Sequence, residues 1–160
     1  MSYSHTVNGA TSDQDRIRHL VLPVGVGTAV ATIGFTALGI FGDGTPGAGP
    51  HVGEFLFLCA VVAVAAAGVF GLVVPRALTS GRFGGPALAM SLVAALIVVP
   101  VFWSGLPPVL GMGGALLGMA GRNAESGQGK SQAAIVLGLL AVLATVAIYV
   151  LDWMNTNGIM

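Results

Sequence analysis

Apolar positions in this chain fall in blocks rather than in alternation. Uncharged runs cover residues 20–41, 55–74, 86–121 and 132–151, separated by short polar segments. A helix needs about 20 apolar residues to cross about 30 Å of hydrocarbon. The first, second and last runs each have the length of one span. The third, at about 36 residues and about 54 Å as one straight helix, is too long for one. A fold-back is therefore expected within it. Ser104-Gly105-Leu106-Pro107-Pro108 supplies the turn: glycine tolerates unusual backbone angles, Pro107 disfavours helix at the residue before it, and proline at a helix start forfeits no hydrogen bond.

The pattern predicts an all-α integral membrane bundle of five transmembrane helices, at about 20–41, 55–74, 86–103, 107–121 and 132–151. Residues 1–19 are expected to form a mobile tail that orders only near Arg16 and Arg18, and 152–160 a short outer tail. The fourth span, about 15 residues and about 22 Å long, has to thin the bilayer, sit shielded by neighbours or form a re-entrant hairpin. A chain of four spans is the alternative.

Charge separates these readings, because lysine and arginine concentrate in short cytoplasmic loops. With five spans, Arg16, Arg18, Arg76, Arg82, Arg122 and Lys130 all fall on one side. With four, Arg122 and Lys130 land opposite the rest. The five-span arrangement also brings Trp103, Tyr149 and Trp153 to the outer interface, where such side chains prefer to lie. The expected location is a bacterial cytoplasmic (inner) membrane with the amino terminus inside and the carboxyl terminus outside, the six basic residues acting as cytoplasmic anchors on anionic lipid.

Composition narrows the class. Only 8% of residues are charged, 55% are hydrophobic and the mean hydropathy is +0.91, against about a quarter charged in soluble domains. The first run follows a polar tail holding aspartates, which reads as an uncleaved anchor rather than a signal peptide. The single cysteine, Cys59, allows no intramolecular disulfide and reads as a buried thiol. No Asp, Glu, Lys, Arg or His lies inside a span, which disfavours ion-coupled transport, proton relay and voltage sensing. Asp13, Asp15, His19, Asp43, His51, Glu54 and Asp152 are the groups available for acid, base or metal chemistry. His51 and Glu54 with Asp43 resemble three metal ligands only weakly, and Glu54 equally suits a helix start. Phosphate-cradling loop, HExxH and CxxC are lacking. No enzyme, metal or cofactor is expected, and zero net charge with no basic cluster argues against nucleic acid.

Small residues mark where helices meet, since lipid gives helices no hydrophobic reward for association. Gly114 and Gly118 stand in GxxxG relation. Ala134, Gly138, Ala141 and Thr145 follow at alternating steps of four and three, and Ala87, Ser91 and Ala95 at steps of four. These read as packing faces between the third, fourth and fifth spans, or as a partner face. Thr28, Thr32 and Thr36 form a stripe on the first span that reads as a packing face, a docking face or a hydroxyl-lined path.

The stretch WSGLPPVLGMGGALLGMAGR, with the following span AAIVLGLLAVLATVAIYV, resembles small uncharacterised multi-span membrane proteins of actinobacteria. The resemblance covers roughly residues 86–151 and implies a high-GC bacterial inner membrane, with no active residues to carry over. One lysine against five arginines agrees with it. The function expected is a non-enzymatic accessory or structural subunit, contacting membrane lipids and other membrane subunits or itself. A homo-oligomeric channel or carrier for a small neutral solute is the alternative.

Overall fold

The computed structural model describes residues 5–41, 52–122, 127–156 and 158, with side chains from Asp15 onward. Every regular element among them is a helix. Helix α1 spans His5–Phe41 and α2 spans Val52–Ser80. Helix α3 spans Gly84–Val101 and tightens into a 3-10 turn at Phe102–Ser104. Helix α4 spans Leu106–Ala120 and α5 spans Gln128–Thr156. The chain is a helical-bundle membrane protein: α2, α3, α5 and the Asp15–Phe41 part of α1 are long and apolar enough to cross a bilayer, and α4 is a shorter apolar helix.

Three elements run further than the apolar pattern suggests, α2 covering Val52–Ser80 against the expected 55–74. Helix α1 begins at His5, inside the segment expected to be a mobile tail, and α5 continues to Thr156. Hydropathy marks where lipid ends, whereas a helix stops only where its backbone bonding does. The Thr156 hydroxyl, bonded to the Asp152 carbonyl at 2.9 Å, reinforces that last turn.

Proline shapes two helices. Pro75 lacks an N–H and its ring crowds the carbonyl four residues back. The π-helical turn at Val69–Val73 precedes it, with the Val74 N–H reaching back five residues to the Val69 carbonyl, so α2 passes the proline without a break. The helix stops at Gly81, whose φ of 67° requires glycine. At the far end of α3, past Pro100, the chain reverses within a few residues. The Ser104 hydroxyl donates to the Val101 carbonyl at 2.7 Å and accepts from the Leu106 N–H at 3.3 Å, while Gly105 takes a φ of 72°. The predicted turn at Ser104–Pro108 thus exists and closes its own backbone groups.

Helix α4 is the axis of the bundle. It packs most closely against α3 and α5, which also pack on each other, and α1 with α2 covers its remaining side. Ten of its 15 residues are buried, among them Val109, Leu116 and Leu117. No other helix is so enclosed; α3 has four buried positions. Gly121 at its end lies beside Phe83 and Ser131, level with the starts of α3 and α5, and Gly105 at its beginning lies beside Thr32 and Val62.

These neighbours fix its depth. Thr32 is nine residues before Phe41 and Val62 seven after Phe55, and the Phe41 and Phe55 rings meet edge-to-face at 5.2 Å. At 1.5 Å per residue the α3–α4 turn therefore lies about 10–13 Å below the tops of α1 and α2. Helix α4 can be short because its turn is recessed and its sides are covered by protein, the condition under which interrupted helices are tolerated at membrane depth.

Candidate functional site

Antiparallel succession puts the starts of α1, α3 and α5 and the ends of α2 and α4 at one end of the bundle. That end carries Arg16, Arg18, Arg76, Arg82, Arg122 and Lys130, all exposed. Gly84 beside the Lys130 side chain, and Gly121 beside Phe83, show the loops converging there. Asp152, Trp153 and Glu54 occupy the opposite end. Asp43 and His51 lie outside the described residues, as does the side chain of Asp13. Glu54 sits in the first turn of α2, where the helix dipole favours an anion. Among the described residues no group of three His, Cys, Asp or Glu side chains is placed to hold a metal. Cys59 is half-buried and unpaired with any other cysteine.

The small residues of α4 and α5 meet inside the molecule. Ala134, Gly138, Ala141 and Thr145 are all buried along α5. Gly138 and Gly111 bring their backbones together: a Cβ on Gly111 would lie 2.6 Å from the Gly138 carbonyl oxygen. A Cβ on Gly118 would lie 2.7 Å from the Ser131 carbonyl oxygen, and one on Gly114 would run into the Ser91 hydroxyl. Ser91, fully buried on α3, donates across to the Ala134 carbonyl of α5 at 2.7 Å. The three-helix core is thus held by backbone approach together with the buried Ser91–Ala134 hydrogen bond.

Thr28, Thr32 and Thr36 turn toward the interior, Thr32 and Thr36 buried and Thr28 half-buried. Each hydroxyl donates one turn back along its own helix: Thr28 to the Val24 carbonyl at 2.7 Å, Thr32 to Thr28 at 2.7 Å and Thr36 to Thr32 at 3.0 Å. Thr145 does the same toward Ala141 at 2.8 Å. Their methyl groups therefore form the surface that neighbours meet. Trp103 is half-exposed at the α3–α4 turn and Trp153 half-exposed near the end of α5. Tyr149 knits the region together. Its ring stacks on Phe35 of α1 at 5.8 Å and meets Phe102 edge-on at 5.7 Å, and its hydroxyl reaches the Phe102 carbonyl at 3.5 Å.

Two features escape a reading of the sequence. Helices α1 and α5 scarcely touch each other, leaving a cleft of about 320 Å³ with α4 as its floor. Its walls are Val24, Thr28, Ala31 and Thr32 on one side and Val142, Thr145 and Val146 on the other, over Pro108 and Met112. Phe35 and Tyr149 close its upper end and also border a second cleft of about 270 Å³ that rises past Leu38 and Gly39 to Asp152, Trp153 and Thr156. The other feature is on α2, where Gly53, Phe57, Ala60, Val64, Ala67 and Gly71 are all exposed at alternating steps of four and three. The recurrence of a small residue at 53, 60 and 67 is the signal that could have revealed this stripe.

Comparison with protein-family models, with curated proteins and with solved structures gives no match for this chain.

Proposed function

We propose that this protein is a non-enzymatic accessory or structural subunit of a larger membrane complex, in a bacterial cytoplasmic membrane with its basic end in the cytoplasm. The observation that carries this reading is a contrast between inside and outside. The small-residue faces of α4 and α5 are engaged within the molecule, whereas the stripe from Gly53 to Gly71 on α2 faces outward, with open space before both glycines. Small residues on a lipid-facing surface let a second helix approach closely, and a spacing of alternating fours and threes keeps that contact continuous along α2.

The interior supports the same reading. Among the described residues the buried polar side chains are serines and threonines only, and no buried side-chain polar atom lacks a hydrogen bond. The inward turn of Thr28, Thr32 and Thr36, with each hydroxyl already bonded, favours this function over a channel lined by that stripe.

The test is purification from the native membrane in mild detergent, with mass spectrometry of the intact particle. Foreign subunits in fixed stoichiometry are expected. Ala60→Trp with Ala67→Trp should remove them while leaving the thermal unfolding of the chain itself in place. Emergence as a ring of identical copies, or alone, would overturn the proposal.

A further inference from the structure

The clefts between α1 and α5 have a graded chemistry that identifies an occupant. In the lower one the hydroxyls of Thr28, Thr32 and Thr145 all donate to backbone carbonyls, so its walls offer methyl and methylene groups at membrane depth. The upper one leads to the carboxylate of Asp152, exposed at the rim. We propose that these two clefts, which meet at the stacked Phe35–Tyr149 pair, together seat one zwitterionic phospholipid, an acyl chain passing over that ring pair into the lower cleft and an ammonium headgroup resting against Asp152.

Charge selects the headgroup. All six lysines and arginines lie at the other end of the bundle, while Glu54 and Asp152 lie at this one. An ammonium group meets a complementary field there, and an anionic headgroup meets repulsion. Depth agrees. Helix α5, with 29 residues, is about 43 Å long, which exceeds the roughly 30 Å hydrocarbon core and matches the thickness that includes the headgroups. Asp152 near its end therefore stands in the headgroup layer, and Thr28 and Met112 lie at acyl-chain depth.

Width selects an alkyl chain over a partner helix. A helix about 10 Å across, followed over the roughly 16 Å from Val24 to Phe35, occupies on the order of 1,200 Å³. The lower cleft holds about 320 Å³. A helix laid there would stand mostly outside it, whereas a single extended acyl chain can lie within. The site is separate from the α2 stripe, so either proposal can fail without the other.

The experiment is native mass spectrometry of the full chain released from nanodiscs of equimolar phosphatidylethanolamine and phosphatidylglycerol. One phosphatidylethanolamine retained per chain is expected. Asp152→Asn should cut its preference over phosphatidylglycerol about fivefold, as for loss of one partly exposed ion pair. Ala31→Trp, which places a ring in the lower cleft from an exposed position, should abolish retention with helix content and thermal unfolding unchanged. Equal retention of both lipids, an unchanged preference in Asp152→Asn, or no retained lipid overturns the proposal. So does a photocrosslink from position 31 to another protein's helix in place of lipid.

Discussion

Ser91 and Gly114 carry more of this fold than their size suggests. The Ser91 hydroxyl bridges α3 to the Ala134 carbonyl of α5, and Gly114 leaves the space in which that bridge forms. In Ser91→Ala the Ala134 carbonyl keeps its own helical bond, so the loss is that of one interhelical bond in a membrane, about 0.6 kcal/mol and at most about 1.7. Gly114→Val differs in kind, because its branched side chain would meet both the Ser91 hydroxyl and the α3 backbone near Ala87. Unfolding in mixed micelles should show Ser91→Ala slightly weakened and Gly114→Val failing to reach the native bundle. A Gly114→Val protein as stable as Ser91→Ala would mean that α3 and α4 are not packed as closely as described. The Ser91 and Gly114 seams were legible in the sequence as small residues at steps of four. Their exact opponents were not, since an apolar helix surrounded by apolar neighbours has no polar face to show which side turns inward.

At the scale of the element, α4 joins two properties that seldom meet: it is the shortest of the apolar helices long enough to matter here and the most enclosed. Block length and the Ser104–Pro108 turn were sufficient to place it. Its recession below the ends of α1 and α2 was not readable, because that depends on Gly105 meeting Thr32 and Val62, a contact between segments far apart in sequence. The π turn before Pro75 was half legible, in that the proline announces a disturbance without saying whether the helix breaks or widens. Burial inside protein rather than lipid has a dynamic consequence. Exchange needs the backbone to open, and opening α4 requires α3 and α5 to part first. Hydrogen exchange in nanodiscs should find the amides of Val109–Gly118 the slowest in the chain, slower than those of Leu56–Ala65 on α2. Equal rates would indicate that α4 opens alone, as a hairpin only loosely held.

For the whole molecule, one asymmetry organises the surface outside the core: all six lysines and arginines lie at one end, with Asp15 among them, the carboxylates of Glu54 and Asp152 mark the other, acidic end, and four helices are long enough to reach both interfaces. Odd helix number produces this, because α4, by returning the chain across the bundle, brings Arg122 and Lys130 back to the end that carries Arg18 and Arg82. Without α4 those two charges would sit at the acidic end. The positive-inside rule predicts the basic end in the cytoplasm and Thr156 outside. Orientation can be read with a Cys59→Ala background, which removes the one native thiol. Asn155→Cys on α5 should react with a membrane-impermeant maleimide on intact cells, and Gln128→Cys only after permeabilisation. Reversing the charge bias provides the stricter test: replacing Arg122 and Lys130 with glutamine while adding two lysines after Thr156 removes the reason for α4 to return the chain to the cytoplasmic side. If Asn155→Cys then becomes protected, charge sets the topology. If it stays reactive, the enclosure of α4 by α3 and α5 is strong enough to hold the fold against the charge bias, and packing rather than charge determines how this chain sits in its membrane.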